Sequence, residues 1–388
     1  MATEERLKLL IATDCFPPRK DGIARFLEEI LPFMKKDFDI TVIAPEYVGT
    51  MKRDFSKELD LIRFPLSDKK YGDYQPAKTD YSRIKDAVSK TDIIWSQTLG
   101  PIGARTIWAA GHYRKPVVAY IHSMENELVT RSVALRGIVS NMIDRIAKSF
   151  MRFFYNRCYL LMVPFKDASD KLDGLGIKTD KAIVHMAVNE DQFKPSDDKD
   201  TSKAKIGIPK NRFVIGYVGR IAKEKDLETL YRAFTHIKER RKDLFLLIVG
   251  DGPAEQKMMF KGDDVRITGS IDNVIPCLQA MDVFVLPSLT ETSSLSTMEA
   301  MSTSIPVIVT PVGFMKTYVE NGYNGFIIPK RGIEDLANKI EELMDDSVLR
   351  TRIGKNARKT INKTYVWNKT SKEIIRLLKK IRRETSEN

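Results

Sequence analysis

The sequence predicts an α/β protein made of two doubly wound, Rossmann-like domains. Three observations carry this expectation. Short apolar runs of strand length alternate with helical or irregular segments along most of the chain, the pattern imposed by a parallel sheet with crossover helices. At 388 residues and 43% hydrophobic content, the chain is globular and too long for one ordinary core. Several apolar runs end in polar turns bearing glycine or proline, the places where open α/β sheets receive ligands.

Leu7 to Ala12 reads as the first strand. The loop Thr13-Asp14-Cys15-Phe16-Pro17-Pro18 with Asp21-Gly22 leads into a helix near Ile23 to Met34. A glycine-bearing first loop suits close approach of phosphate or sugar, which makes Gly22 a candidate ligand contact. Two prolines and a glycine also make an ordinary surface turn. Asp39 to Ala44, Leu61 to Phe64, Ile93 to Trp95 and Val117 to Ile121 read as further short buried strands. His122 follows the last of them. A lone histidine is more often structural, but the carboxyl end of a strand is where a ligand would meet it.

From Arg131 to Tyr155, Leu135, Ile138, Val139, Met142, Ile143, Ile146, Phe150, Phe153 and Phe154 recur at helical spacing, interleaved with Arg136, Arg145, Lys148, Arg152 and the nearby Arg157. This is either a core helix with snorkelling cations or a basic, aromatic helix lying on an anionic membrane through residues 131–157. Cys158 to Val163 and Ala182 to Met186 complete a first domain over residues 1–192. The polar stretch Ser196 to Lys203 reads as structureless and places a linker at 193–210. Its Asp198-Lys-Asp200 resembles a metal-binding pair, yet no apolar strand precedes it, so both carboxylates are expected in solvent.

A second domain, 211–365, opens with a strand over Phe213 to Val218 and the turn Gly219-Arg220, with Lys225 in the following loop. Asp243 to Val249 with Gly250-Asp-Gly252-Pro253 is another strand and glycine turn, only half of a dinucleotide fingerprint. Val265 to Thr268 and Pro306 to Thr310 add strands, and Ile333 to Met344 an amphipathic helix. Ser371 to Arg383 reads as a helix within 366–388 that packs back on the first domain. Between them, Asp282-Val-Phe-Val-Leu-Pro287-Ser288 is a buried strand and turn feeding the helix of Leu295 to Met301. Amides near Ser294 and Leu295 would face phosphate, and Glu291 and Glu299 would point carboxylates at hydroxyls. Ser296-x-x-Glu299 can also be read as a capping box that merely closes the helix start.

Glu291 and Glu299, with Ala300-Met301 and Pro306-Val307, stand in a spacing that resembles the family 4 glycosyltransferases, retaining enzymes of the GT-B fold. The resemblance runs from end to end. It implies two Rossmann-like domains facing each other across a deep cleft, the first on the acceptor side and the second binding the nucleotide sugar. It implies His122, Arg220, Lys225 and Glu291 as candidate catalytic residues, the two cations on the diphosphate, and His122 and Glu291 at the donor sugar. Gly22, Gly219, Ser293, Ser294, Leu295 and Glu299 become donor-binding candidates, with Glu299 at the ribose, and Asp21, standing where the family's first loop often has a second glycine, becomes a candidate acceptor contact. A departing diphosphate needs its charge neutralised, which fixed cations supply without metal, so no cofactor beyond the co-substrate is expected. The chain departs from the family at Thr292-Ser293-Ser294, where a Gly-Phe-Gly-like turn is common and where hydroxyls could meet the donor sugar, which touches donor identity, and at Met186 to Asn189, to which no function is assigned.

Composition narrows the partners. The formal charge of +12 calls for an anionic one, but no nucleic-acid-binding signature stands out. No apolar run reaches the roughly 18 residues of a membrane span, and the acidic start Met1-Ala-Thr-Glu-Glu reads as no export signal. Three scattered cysteines indicate free thiols in a reducing compartment. Together with the resemblance, the expectation is a cytoplasmic hexosyltransferase, peripheral on the inner face of the membrane, using UDP or GDP sugars, with a lipid or lipid-linked glycan as acceptor. The alternatives are a soluble sugar or glycan acceptor and a nucleotide-sugar epimerase of the same fold; a nicotinamide dehydrogenase would need a full glycine fingerprint after the first strand.

Overall fold

Every residue of the central strands is buried, as in Phe213–Val218, Leu244–Val249 and Val283–Leu286, so their sheet needs cover on both faces, the condition that favours parallel strands joined by helices. The structure, a computed structural model, describes residues 6–19, 21–49, 53–70, 74–122, 124 and 138–386. Contacts divide the chain into two units, residues 1–185 with 367–388, and residues 186–366.

The first unit runs β1 (Leu7–Ala12), α1 (Gly22–Met34), β2 (Phe38–Pro45), β3 (Asp60–Phe64), α2 (Tyr81–Ser89), β4 (Ile93–Ser96), α3 (Pro101–His112), β5 (Val117–Tyr120), α4 (Ile138–Tyr155), β6 (Leu160–Val163), α5 (Lys166–Gly174) and β7 (Lys181–Ile183). The second holds α6 (Lys199–Lys205), β8 (Phe213–Val218), α7 (Leu227–Lys238), β9 (Leu244–Val249), α8 (Ala254–Lys257), β10 (Val265–Ile267), α9 (Ile275–Ala280), β11 (Val283–Leu286), α10 (Leu295–Ser302), β12 (Val307–Val309), α11 (Met315–Tyr318), β13 (Gly325–Ile327), α12 (Ile333–Asp345) and α13 (Ser347–Thr364). The last helix, α14 (Trp367–Ser386), returns to the first unit. There Trp367 packs on Phe26, and Lys379 and Arg382 pair with Asp37 and Asp92.

Both sheets are wholly parallel, ordered β3-β2-β1-β4-β5-β6-β7 and β10-β9-β8-β11-β12-β13. In each, the first strand lies between its sequence neighbour and a later strand: Leu9 is in register with Ile40 and Ile93, and Ile215 with Leu246 and Val283. Strand order reverses there, so the loops leaving β1 and β4, and those leaving β8 and β11, open the crevice in which such sheets hold ligands.

The linker expected at 193–210 is corrected by the structure. Lys199–Lys205 is helical, and Asp198 caps it by accepting from the Asp200 amide at 3.0 Å. Lys199 and Lys203 both reach the buried Asp282 carboxylate, at 3.2 and 2.9 Å. Burial alone would raise that carboxyl, but the two ammonium groups and the Val214 amide at 2.9 Å outweigh it and hold it below its ordinary range. A lysine-rich segment that looks solvated is thereby anchored to the edge of β11, because its partner lies some eighty residues downstream where local composition gives no hint. Asp198 is thus a helix cap, and Asp200 stands in the first turn it closes.

Candidate functional site

In the second unit the turn out of β8 is made by Gly219 at φ 151°, and the turn out of β9 by Gly250 at φ 146°. A Cβ on Gly250 would lie 1.9 Å from the Gly219 carbonyl oxygen, and one on Gly252 2.1 Å from that of Ile221. The two loops therefore meet backbone to backbone, joined by Gly219 N–H to Val249 O at 2.9 Å and Ile221 N–H to Asp251 O at 2.8 Å. This close approach, which only glycine permits, is what the half-fingerprint at Gly250 and Gly252 provides.

Beyond Gly219 the loop is tied to the one that follows β11. The Leu289 amide donates to the Glu224 carbonyl at 2.8 Å, and the side chains of Lys225 and Glu291 form an ion pair. These side chains are 18% and 12% exposed, so the pair is largely removed from water but still reachable. Ser288 Oγ donates to the same Glu291 oxygen at 3.1 Å. Asp226, left-handed at φ 49°, turns the chain from Lys225 into α7 and accepts from Thr229 Oγ1 at 2.7 Å. Arg220 is in the same loop but is directed elsewhere: its guanidinium pairs with Glu224 at 2.8 Å and is mostly exposed.

The loop from Glu291 to Ser294 rests on Gly313. That residue has φ 56°, and a Cβ on it would stand 2.4 Å from both the Glu291 and the Thr292 carbonyl oxygens. Phe314 N–H donates to Thr292 O at 2.9 Å, fixing the contact. The loop ends in α10, whose cap is Ser294: its Oγ accepts from the Thr297 amide at 3.2 Å. The alternative reading of Ser296 and Glu299 as a capping box gives way to a cap two residues earlier. Glu299 lies in the second turn, 2% exposed, and is not the residue that closes the helix start. Leu295 opens the helix, where first-turn amides lack intrahelical acceptors. The Ser293 hydroxyl is buried and has no hydrogen-bond partner among the described residues. Burial and the field of Glu291 push the nearby Tyr318 phenol well above its ordinary range, which keeps it neutral.

The arrangement thus brings Lys225, Glu291, Ser293, Ser294 and Leu295 to one switch point, with Gly219 shaping its floor. It offers an ammonium group and helix-start amides to an anion, and a carboxylate and a hydroxyl to polar hydrogens and lone pairs. Such a set can hold a phosphorylated, hydroxyl-rich ligand.

His122 and Gly22 belong to the first unit. Gly22 opens α1, and a Cβ there would meet nothing within 4 Å, so packing does not demand glycine. Asp21 precedes it as the helix cap, its Oδ1 accepting from Ile23 N–H at 3.0 Å and Ala24 N–H at 2.8 Å while Oδ2 pairs with Arg19. Both oxygens are thus already engaged within the first unit. His122, 8% exposed, holds Gln97 Oε1 at 2.9 Å from its Nε2. Burial draws the imidazole down to about 3 against a weaker opposing pull from Asp21, so it is neutral.

Asp14 is a functional-looking residue with a structural task. Its buried carboxylate accepts from the Ile102 and Gly103 amides at 3.0 and 3.3 Å and from Thr98 Oγ1 at 2.7 Å, closing the start of α3. A carboxylate reaching across from another strand has no local signature, which is why sequence spacing does not reveal it. The segment 131–137, with Leu135 and Arg136, lies outside the described residues.

Two family models match the chain, one described as Glycosyltransferase Family 4 over residues 20–192 and one as Glycosyl transferases group 1 over residues 198–360. The chain is 34% identical over 172 residues to the capsular polysaccharide biosynthesis glycosyltransferase CapM of Staphylococcus aureus, covering 42% of this chain and 44% of that one. It is 27% identical over 282 residues to the alpha-monoglucosyldiacylglycerol synthase of Acholeplasma laidlawii, covering 69% and 70%. The match thus spans less than half the length of the capsular relative. The crystal structure of Anabaena Alr3699/HepE in complex with UDP and glucose superposes with a TM-score of 0.77 at 18% identity, covering 96% of this chain and all of that one.

Proposed function

The chain belongs to the family 4 glycosyltransferases, with the α/β GT-B fold, and from that premise we propose that it moves a hexose from a UDP sugar to a hydroxyl of a membrane lipid or lipid-linked glycan, with retention of configuration. The observation that carries the donor half is the Lys225–Glu291 pair, held at a switch point between two glycine-floored loops. On this reading Lys225 meets the diphosphate and, as it does so, releases Glu291 to a hydroxyl of the hexose. Arg220 swings from Glu224 to the same phosphates, and the amides of Ser294 and Leu295 add hydrogen bonds. Glu299 takes the ribose, Ser293 offers its unpaired hydroxyl to the sugar, and His122 approaches the sugar from the first unit. Charge that develops on the leaving diphosphate is then met by fixed cations and amides rather than by metal. UDP is preferred to GDP because HepE was crystallised with it.

The acceptor half rests on α4. Met142, Ile146, Phe150 and Phe153 recur along it and are 56, 62, 43 and 42% exposed, while Met151 and Tyr155 are buried. Trp108 of α3, itself exposed, stacks on Phe153 with ring centres 5.9 Å apart, and the Arg157 guanidinium lies 3.5 Å above the Phe153 ring. An exposed apolar stripe flanked by Arg145, Lys148 and Arg152 suits the interface of an anionic bilayer, and the Acholeplasma relative is by its name an alpha-monoglucosyldiacylglycerol synthase. No described helix is long and apolar enough to cross a membrane; on this reading α4 attaches the chain peripherally, on the cytoplasmic face.

The test is partition of label. Purified protein is incubated with labelled UDP- and GDP-hexoses, a total lipid extract and a chelator, beside a Glu291→Ala control. Label entering the organic phase only with wild-type protein supports the proposal and names the donor. Nucleotide release stimulated by water-soluble sugars, without organic label, transfers the reading to a soluble acceptor. Isomerised donor without any acceptor would identify an epimerase instead.

A further inference from the structure

The neutral His122 is held by a residue that neither its sequence context nor any motif singles out. Strands β4 and β5 are adjacent and parallel, with Ser96 in register with Ala119, so the residues just past their carboxyl ends are neighbours. Gln97 is one of them: 1% exposed, its amide donates to Ala12 O at 2.8 Å and its side-chain Oε1 stands 2.9 Å from His122 Nε2. An amide oxygen can only accept, so the contact is a hydrogen bond in the Nε2–H tautomer, whose neutral ring presents a lone pair at Nδ1. That Nδ1 is buried and has no hydrogen-bond partner among the described residues, and the same holds for Gln97 Nε2. Folds rarely leave buried polar atoms unpaired unless something else supplies the partner. The ring itself cannot turn away, being packed edge-on against Phe26 at 4.9 Å and beside Tyr120 at 4.6 Å. Of the ionisable groups around it, Asp21 at the start of α1 acts on His122 through its charge, and the Tyr120 hydroxyl is committed to Val184 O at 2.8 Å.

We infer that Gln97 is a positioning residue: its side-chain carbonyl fixes His122 as the Nε2–H tautomer, so that Nδ1 accepts a hydrogen bond from a hydroxyl of the donor sugar. The inference rests on the reading above that His122 meets the sugar. An acceptor at that place recognises a hydroxyl as such, and Gln97 Nε2 supplies a donor beside it; a deoxy sugar would leave both unpaired.

The test uses the full chain labelled with nitrogen-15 at its four histidines, with His122→Asn to assign the signal, and turnover of UDP-glucose as the kinetic probe. Wild-type His122 should show a protonated Nε2 and a bare Nδ1, unchanged from pH 8 to pH 5. In Gln97→Leu the two nitrogens should average between tautomers, and kcat should fall about tenfold, the worth of one lost hydrogen bond, with KM within about twofold. Gln97→Glu should raise the titration of His122 into the neutral range, put hydrogen on Nδ1, and give turnover that falls as pH is lowered, a profile the wild type lacks. A wild-type His122 protonated at Nδ1, or titrating near an ordinary histidine, overturns the inference without any variant. If His122→Asn is impaired while Gln97→Leu matches wild type in tautomer and rate, the positioning role fails and the sugar contact stands. If the tautomer depends on Gln97 but His122→Asn turns over normally, the sugar contact fails, and the inference with it.

Discussion

Replacing Gly313 by alanine perturbs the candidate site without touching any of its charged groups. The new Cβ would begin 2.4 Å from the carbonyl oxygens of Glu291 and Thr292. Contacts of this kind relax to at least 3.0 Å, so the Glu291 loop must retreat by roughly 0.6 Å or the Gly313 backbone must give way. Two costs add: the left-handed φ of 56° is strained for any residue with a Cβ, by about 1–2 kcal/mol, and overpacking a tight contact costs about 1–3 kcal/mol. A loss of roughly 2–5 kcal/mol lowers the melting temperature of a domain this size by about 4–20 °C. Because Glu291 rides on the displaced backbone, turnover should fall by more than stability requires, about 10- to 100-fold even where the protein is fully folded, since an ångström of misplacement costs about two orders of magnitude. Thermal unfolding followed by circular dichroism, with UDP release from UDP-glucose measured well below the transition, reads both quantities. An alanine variant with unchanged melting temperature and turnover within twofold of wild type would refute the claim that Gly313 sets the position of Glu291.

Two further outcomes follow from other parts of the molecule. Burial draws His122 down to about 3 in the folded chain, whereas the unfolded chain takes up that proton near pH 6.5. Its contribution to stability is therefore complete above pH 6.5 and is lost as pH falls toward 3, with about 2 kcal/mol gone by pH 5. Urea titrations at pH 7.5 and 5 should show a smaller drop for His122→Asn than for wild type, and equal drops would count against a buried neutral imidazole. On α4, changing Met142, Ile146 and Phe150 together to glutamine should weaken binding to vesicles rich in anionic lipid by at least tenfold, since each apolar side chain withdrawn from water contributes about 1.5–3 kcal/mol. UDP release into water should be unaffected, and vesicle binding equal to wild type would remove the membrane from the account.

The alternation of strands and helices was legible because parallel strands buried on both faces must be uniformly apolar, and β8, β9 and β11 are. Pairing of Lys225 with Glu291 was not readable as a distance, but both residues stood at strand ends where ligand loops form, and the family resemblance named them together. What stayed hidden was long-range and polar. Asp282 joins the lysines of α6 to the second sheet, Asp14 caps a helix whose sequence begins almost ninety residues later, and Gln97 meets His122 across adjacent strands. None of these has a local period or spacing. Ser294 and Ser296 compete on equal terms as helix caps by residue type, and only the backbone at Ser294, extended where the cap must be, decides between them. The whole of α13 is hidden in the sequence as well, since its eighteen residues carry four buried positions among a polar majority and so give a weak apolar stripe.

The central claim is that Lys225 and Glu291 mark the nucleotide-sugar site, and titration calorimetry of UDP and GDP into wild type and Lys225→Met tests it most directly. The account predicts saturable binding of UDP to wild type in the presence of chelator, tighter than GDP, and at least about tenfold weaker binding to the variant, the worth of one charge-assisted contact to phosphate. Equal affinity of wild type and variant for UDP would contradict it, because a diphosphate bound at this switch point has to meet that ammonium group.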